Sequence, residues 1–182
     1  LQVADEPGLL QWKRRLTDAG VAVRGPFDRR YFKSITFRDP DGTILEIATV
    51  GPGWTVDEAA ADLGRTVRPP LVNQISQPRD EAQSEAATWP EPVPVIRAAM
   101  ALSRGMHHIS AFSADIQRTH AFFGDLLGMR RVKMTADFDD PASAHWTWGV
   151  GDGAPGTLIS YLERNPRHVR RARMGVGQTH HF

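Results

Sequence analysis

The chain has 182 residues, of which 24% are charged and 41% hydrophobic, and its formal net charge is +1. This length supplies one domain or two small ones, and the balanced charge gives no strong field for nucleic acid or an anionic surface. The absence of cysteine excludes disulfides and thiolate metal sites, and neither a membrane-spanning apolar run nor a signal-peptide pattern occurs. We expect a cytoplasmic protein that binds neither nucleic acid nor membrane, and whose metal ligands are His, Asp or Glu.

The first fifty residues predict one helix followed by three strands. Glu6–Gly20 is the helix, with a proline in its first turn and a glycine at its end. The strands are VAVRGP, YFKSITF and TILEIATV, and DPDG forms the turn before the last of them. In that last strand Glu46 shares a face with Ile44 and Ala48, where an unpaired carboxylate would be costly. The position therefore favours a buried carboxylate with a cationic partner or a metal.

The middle of the chain has a different composition from its two ends. A short helix is predicted over Val56–Leu63, and the stretch rich in proline and polar residues after it is predicted to be an irregular linker. Regular order then returns with the strand MHHISAF and a helix over Asp115–Leu127. Three strands follow, MRRVKMTADF, SAHWTWGV and GTLISYLE. Met106–Glu163 is thus predicted to form a β-α-β-β-β unit.

A second unit of the same pattern emerges when the two ends of the chain are joined. The strand GQTHHF at the end of the sequence, continued into Leu1–Val50, again has the order β-α-β-β-β. The prediction is an α+β fold in which paired units form a cupped mixed sheet around a metal site, with a circular permutation that splits one unit between the termini. The predicted parts are 1–72 (the second unit without its first strand, plus a tail), 73–103 (the linker), 104–174 (the first unit and a basic loop) and 175–182 (the missing first strand).

Two histidine pairs and one glutamate are the candidate metal ligands. A single His-His pair on a strand is usually an ordinary edge or core feature, because successive side chains point to opposite faces. Here the pairs His107-His108 and His180-His181 both lie on the first strand of a repeated unit. Together with Glu46 they favour a 2-His-1-carboxylate set, which holds Fe(II) and leaves coordination positions open.

The stretches GMHHIS, GVGQTHHF and DRRYFKSITFRDPDGTILEIATVGPGW resemble ring-cleaving dioxygenases of the vicinal oxygen chelate superfamily, especially the hydroquinone-type enzymes. The resemblance implies that His108, His181 and Glu46 bind the metal, which would be Fe(II) or, alternatively, Mn(II). It also implies that His107 hydrogen-bonds the substrate or the bound oxygen species and that Arg29 lines the substrate site. The implied activity is an extradiol-type dioxygenase that cleaves a phenolic or hydroquinone-like ring and incorporates both atoms of O2.

Some positions depart from this family pattern. Hydroquinone-cleaving relatives carry a tyrosine where this chain has Thr36, and known relatives are longer, with four units rather than two. A glyoxalase-type isomerase or lyase, using Zn or Ni, would need a further protein ligand. Ser160 aligns with Glu46, whereas Glu163 falls on the other strand face, which favours three protein ligands. A non-catalytic small-molecule-binding module of the same fold is the remaining alternative.

The basic run and the chain ends each leave two interpretations open. The run Arg164–Arg173 is either a solvated loop or a basic lip that attracts anionic aromatic acids. The split strand is completed either within a closed monomer or in a swapped dimer, where His181 of one chain meets Glu46 of the other. We expect a homodimer whose small-molecule partners are an aromatic substrate and O2.

Overall fold

The structure is a computed structural model that describes residues 1–68, 86–102 and 105–167. It contains two units of the predicted β-α-β-β-β order. The predictions for the strand over 175–182, for His181 and for most of the basic run lie outside the described residues. Within those residues, no helix combines the length and the apolar character needed to cross a membrane.

The first unit forms a four-stranded sheet in the order β1-β4-β3-β2, in which only the β1–β4 pairing is parallel. Its helix begins where Asp5 caps it, because the Asp5 carboxylate accepts a hydrogen bond from the Gly8 N–H at 3.0 Å. The elements are β1 (Gln2–Val3), α1 (Glu6–Asp18), β2 (Arg24–Asp28), β3 (Phe32–Arg38) and β4 (Ile44–Pro52).

The second unit repeats this topology in the order β5-β8-β7-β6, and here only the β5–β8 pairing is parallel. The helix predicted over Asp115–Leu127 is present, but it changes from an α-helix to a π-helical turn at Ala121–Leu126. The elements are β5 (His108–Ser113), α2 (Ile116–His120), β6 (Arg130–Ala136), β7 (Ala144–Gly149) and β8 (Leu158–Glu163).

Each sheet has an apolar outer face and a polar inner face. The outer faces hold the two hydrophobic clusters, one built on Ile35 and Ile47 beneath α1 and one on Trp146 and Trp148 beside α2. Because side chains alternate along a strand, the opposite faces carry the residues in between. These inner faces display buried or partly buried polar side chains, namely Ser34, Thr36 and Glu46 in the first unit and Lys133, Thr135, His145, Thr147 and Ser160 in the second.

The tail that follows β4 packs against the second unit. The short helix predicted over Val56–Leu63 is wrong, since the structure has one 3-10 turn at Trp54–Val56 and a series of turns after it. The Arg131 side chain donates to the Gly64 carbonyl at 3.0 Å, and a Cβ on Gly64 would collide with the Arg131 carbonyl. The tail thereby covers the outer edge of β6, which would otherwise expose unpaired backbone groups.

Residues 86–102, which fall in the predicted linker, lie along α1. Apart from a 3-10 turn at Ala98–Met100, this described stretch has almost no regular structure. Four side chains of α1 donate to its backbone carbonyls and so satisfy groups that would lack strand or helix partners. These bonds join Trp12 to Met100 at 2.7 Å, Lys13 to Ala87 at 2.9 Å, Arg14 to Pro90 at 3.0 Å and Arg15 to Pro94 at 2.6 Å.

A buried ionic cluster joins the tail to the second unit. The Lys133 side chain is 0% exposed, and its ammonium donates to Asp57 and to Glu58, both at 2.5 Å. Asp57 also pairs with the Arg30 guanidinium at 3.1 Å and accepts a hydrogen bond from the Tyr31 hydroxyl at 3.0 Å. Burial and the charge of Asp57 raise the pKa of Tyr31, which therefore stays protonated. Removing one member would leave uncompensated charges in the interior.

We predict that Lys133→Met lowers the free energy of unfolding by about 3–5 kcal/mol, because Asp57 and Glu58 would lose their shared cation. The matched control is Lys33→Met, which removes the half-exposed ion pair with Glu6 at 2.6 Å and should change stability by less than about 1 kcal/mol. Urea unfolding of the three proteins measures both values. Equal, small losses in the two variants would contradict the role given to the cluster.

Candidate metal centre and its surroundings

Glu46 and His108 meet across the inner faces of the two units. Glu46 is the third residue of β4, and His108 is the first residue of β5. The His108 Nε2 atom is 3.1 Å from the Glu46 Oε2 atom, and the side chains are 11% and 26% exposed. Two ligand atoms that bind one metal at about 2.1 Å and at right angles lie about 3.0 Å apart. The pair therefore has the spacing of two adjacent ligands of one ion.

The carboxyl group of Glu46 is held in its ionised form. Burial alone would raise its pKa, but the hydrogen bond and charge of His108, assisted by Ser34 and Arg29, lower the pKa of Glu46 to about 2. A carboxylate must be deprotonated to bind a metal, and this one is deprotonated throughout the physiological range. Its surroundings thus suit either an imidazolium partner or a cation.

His107 directly supports His108. It is 3% exposed, and its Nδ1 atom is 2.8 Å from the Nδ1 atom of His108. Burial and the nearby charge of His108 lower the pKa of His107 to about 4, so its ring is neutral at pH 7. If His108 binds a metal through Nε2, its Nδ1 carries the proton and donates to His107. The first histidine of the pair can therefore select the tautomer of the second.

A pocket with aromatic walls opens beside His107 between the two units. Its volume is about 190 Å³, and its lining includes Tyr31, Phe32, Trp54 and His107. The ring of Phe32 lies 5.0 Å from that of His107, centroid to centroid, and the Trp54 indole donates to the Gly153 carbonyl at 3.0 Å. An apolar space of this kind could accept a small ring or exclude water from the histidine pair.

Arg29 approaches the centre from a different side than His107. Its guanidinium lies 3.5 Å from Asp139 and over the Phe27 ring at 4.9 Å, and it does not line the aromatic pocket. It is close enough to Glu46 to contribute to the lowered pKa of that carboxyl. The neighbouring Arg30 belongs instead to the buried cluster with Asp57.

The positions that bear on a fourth ligand are well defined. Thr36 pairs directly with Glu46 in the β3–β4 register, so it borders the carboxylate on the inner face. The hydroxyl of Ser160 contacts that of Thr147 at 2.5 Å. Glu163 accepts a hydrogen bond from the Ile116 N–H at 3.0 Å, at the start of α2. This carboxylate therefore accepts a hydrogen bond from the first turn of α2 and is directed away from the proposed metal.

His145 is a further residue of this interior that the sequence predictions omit. Its Nε2 atom lies 3.2 Å from the Ser160 hydroxyl. Burial, with smaller contributions from His108 and Arg29, lowers the pKa of His145 to about 4, although Asp137 opposes the shift. The alternation in HWTW contains the signal, because the two tryptophans occupy the outer face and so place the histidine on the inner one.

The described residues contain two of the three predicted metal ligands. No group of three or more His, Asp or Glu side chains is positioned for a metal within 1–68, 86–102 and 105–167, and His181 lies outside these ranges. An imidazole and a carboxylate suit Fe(II), Mn(II), Zn(II) or Ni(II), so the donor set fits a divalent metal without selecting one.

The chain is similar in part to known proteins. It is 41% identical over 60 residues, a third of this chain and 20% of the relative, to the "Putative ring-cleaving dioxygenase MhqE" of Bacillus subtilis (strain 168). It is also 41% identical over 69 residues, or 38% of this chain and 22% of the relative, to the "Putative ring-cleaving dioxygenase MhqA" of the same organism. The matches thus span about a fifth of the length of these relatives. No family model matches.

The likeness to solved structures concerns the fold. A mutant form of glyoxalase I from Zea mays superposes with a TM-score of 0.51 over 91% of this chain and 42% of that chain. The sequence identity is 12%, so this similarity shows a shared fold and nothing about the reaction. The predicted α+β fold with two four-stranded mixed sheets is confirmed, whereas the circular permutation and the metal between the sheets stay predictions.

We predict that the metal-free protein loses stability as the pH falls from about 6.5 to about 4. His107 and His145 each have a folded pKa of about 4, so they stay neutral over this range in the folded protein. In the unfolded chain the same two histidines take up protons, which favours unfolding. Above pH 7 these two residues should contribute no pH dependence. Urea unfolding in the presence of a chelator measures the slope, which should be shallower in His145→Gln. An unchanged slope in that variant would contradict the burial of a neutral His145.

Proposed function

We propose that this chain, whose fold is that of the vicinal oxygen chelate superfamily, forms a metal-dependent dioxygenase that cleaves a phenolic or hydroquinone-like ring with O2. The observation that carries the proposal is the 3.1 Å approach of the Glu46 carboxylate to the His108 imidazole, from two separate units. The partial similarity to proteins named as ring-cleaving dioxygenases supports the reaction class. The substrate, the metal and the third ligand belong to the proposal.

In this proposal Glu46, His108 and His181 hold Fe(II), with Mn(II) as the alternative. Such a metal, when bound, supplies a path for electrons between a phenolate and O2 and leaves positions open for both. Three protein ligands suffice for this chemistry. In the second unit, Ser160 occupies the position that corresponds to Glu46, where a fourth ligand would be expected. Glu163 accepts a hydrogen bond at the start of α2, and this role supports the same number of protein ligands.

The surrounding side chains have separate tasks in the proposed reaction. His107 orients His108 through the Nδ1 contact, and the other nitrogen of its neutral ring, which then carries the proton, can donate a hydrogen bond to a substrate oxygen. Arg29 provides a positive charge on the other side of Glu46, where it can orient a phenolate. Phe32 and Trp54 form aromatic walls that can hold a small ring beside the histidine pair.

Two other functions fit the same fold. The second candidate, left open by the sequence, is an isomerase or lyase that uses Zn or Ni as a Lewis acid. Such an enzyme would consume no O2 and would need a further protein ligand on its metal. A non-catalytic module would bind aromatic ligands tightly without a metal. Metal analysis of protein purified without air, with an O2-uptake screen of hydroquinones and catechols, separates the three.

We predict that Glu46→Gln lowers the iron content of protein reconstituted without air by at least about tenfold, and lowers O2 uptake in proportion. The change keeps the size of the side chain but removes the negative charge that the metal needs. Glu163→Gln is the control, since the same change at the start of α2 should leave iron content unaltered. Equal iron content in the wild type and in Glu46→Gln would contradict the proposal.

The same variants test the assembly, which we propose to be a homodimer. If His181 of one chain meets Glu46 of another, mixing Glu46→Gln with His181→Gln chains creates one intact site per mixed dimer. O2 uptake should then reappear after the two inactive proteins are unfolded and refolded together. If each chain completes its own site, the mixture stays inactive, and the swapped arrangement is excluded.

A further inference from the structure

We propose that the aromatic pocket beside His107 binds a small methylated ammonium ion, such as the head group of choline. The pocket lies next to the metal centre, and its ligand is a different molecule from the ring and the O2 of the proposed function. The inference therefore goes beyond that function and does not depend on it. Three properties of the lining favour this class of ligand, namely its size, the hydrogen bonds that it already makes and its charge.

The size of the pocket limits its occupant to a compact group. The volume is about 190 Å³, whereas pockets for drug-sized ligands typically have about 300–1,000 Å³. The aromatic side chains of Tyr31, Phe32 and Trp54 form part of the wall, and the aliphatic side chains of Leu63 and Leu158 also line it. A ligand that fits must therefore be small and must bind mainly through contact with aromatic and aliphatic surfaces.

The polar atoms of the aromatic walls already have partners. The Tyr31 hydroxyl donates to Asp57 at 3.0 Å, and the Trp54 indole N–H donates to the Gly153 carbonyl at 3.0 Å. A ligand rich in hydrogen-bonding groups would lose water on entry and would gain few partners from these walls. A quaternary ammonium ion has no N–H group, so it loses no hydrogen bond of this kind and is recognised through aromatic faces.

The charge of the lining favours a cation. Among the described residues that line the pocket, none is a lysine or an arginine, and Asp152 is the one acid. Asp152 is exposed, and it takes part in none of the ion pairs formed within the described part of the chain. An anionic ligand would therefore meet a carboxylate without a compensating cation, whereas an ammonium ion would be attracted to it.

The Tyr31 ring already binds an ammonium group from outside the pocket. The Lys133 ammonium lies over this ring, 4.7 Å from its centroid, and Lys133 does not line the pocket. Lys133 also pairs with the carboxylates of Asp57 and Glu58. Because Asp57 pairs with Arg30 as well, these four groups carry two charges of each sign. The pocket can therefore accept a second ammonium group against its aromatic faces without facing a net positive cluster.

The loop that carries Asp152 is held in place by contacts on both sides. The Gly156 N–H donates to the His107 carbonyl at 2.8 Å. Gly153 has a φ of 79°, and a Cβ at this position would lie 2.9 Å from two carbons of Val132. Glycine thus allows the loop to approach β6 closely. Because these walls are already ordered, little conformational entropy is lost when a ligand binds.

The experiment titrates the full chain with choline and with the neutral alcohol in which a carbon atom replaces the quaternary nitrogen of choline. The two ligands have the same shape, so isothermal titration calorimetry of both isolates the effect of the charge. We expect choline to bind about tenfold more tightly than the neutral alcohol. Asp152→Asn should weaken choline binding by about threefold, as expected for one exposed charge, and should leave binding of the alcohol unchanged.

Two further variants complete the comparison. Trp54→Leu removes an aromatic face and should weaken choline binding by about tenfold. The matched control is Asp41→Asn, which makes the same charge change in the exposed turn between β3 and β4. This turn lies at the opposite end of the two strands from Phe32, which pairs with Pro52 next to the pocket. Asp41→Asn should leave the binding of both ligands unchanged.

The outcomes separate this inference from the proposed function. The absence of choline binding, equal affinity for choline and the neutral alcohol, or unchanged choline affinity in Asp152→Asn overturns the inference. Tighter binding of phenol than of choline in this pocket also overturns it and assigns the pocket to the ring of the proposed function. None of these measurements requires iron or O2 uptake, so a failure of the dioxygenase proposal is recognised independently. Because Asp152 is exposed, Asp152→Asn keeps the test valid if Trp54→Leu fails to fold.

Discussion

The approach of Glu46 to His108 is the interaction on which the architecture of the centre depends. An ionised carboxylate in a protein interior is costly unless it is paired, and here the only partner supplied by the facing sheet at hydrogen-bonding distance, among the described residues, is this imidazole. The two sheets can carry polar inner faces because each is stabilised separately on its outer face by a helix and a hydrophobic cluster. The interior between them is therefore available for ligands rather than for apolar packing.

Contacts well outside the centre join the two units that carry these side chains. Lys133 binds the carboxylates of Asp57 and Glu58, which belong to the tail of the first unit, and the same tail covers the edge of β6. A metal site needs its ligands within about 0.5 Å of the productive geometry. A buried ion pair adds little to stability by itself, but it can specify how two elements meet. We interpret the cluster in this way.

The helix and strand patterns of the sequence were sufficient to predict two β-α-β-β-β units and a buried carboxylate at Glu46. They failed where long-range contacts outweigh local preference. The composition of Val56–Leu63 favours a helix. In the structure this segment instead forms turns, and its Asp57 and Glu58 bind Lys133, which lies far along the chain. The segment 86–102 gives no local signal either, because its backbone partners are side chains of α1.

The residues of the centre could likewise be predicted only where the local sequence pattern is unusual. His108 and Glu46 were predictable because paired histidines and a carboxylate in an apolar strand are unusual patterns. His145 was overlooked because a single histidine between alanine and tryptophan is a common pattern, although the alternation with the two outward tryptophans places it on the inner face, where it contacts Ser160. The position of Arg30 is a further example, since the sequence does not show that its side chain turns towards Asp57.

The central claim, that the facing inner surfaces hold one metal through His108 and Glu46, is tested most directly by X-ray absorption spectroscopy of the iron-loaded protein prepared without air. The account predicts nitrogen and oxygen ligands at about 2.0–2.2 Å and the multiple-scattering pattern of two imidazoles. His108→Gln should reduce that pattern to one imidazole. Iron with a spectrum that lacks imidazole scattering, or one that His108→Gln leaves unchanged, would contradict the account.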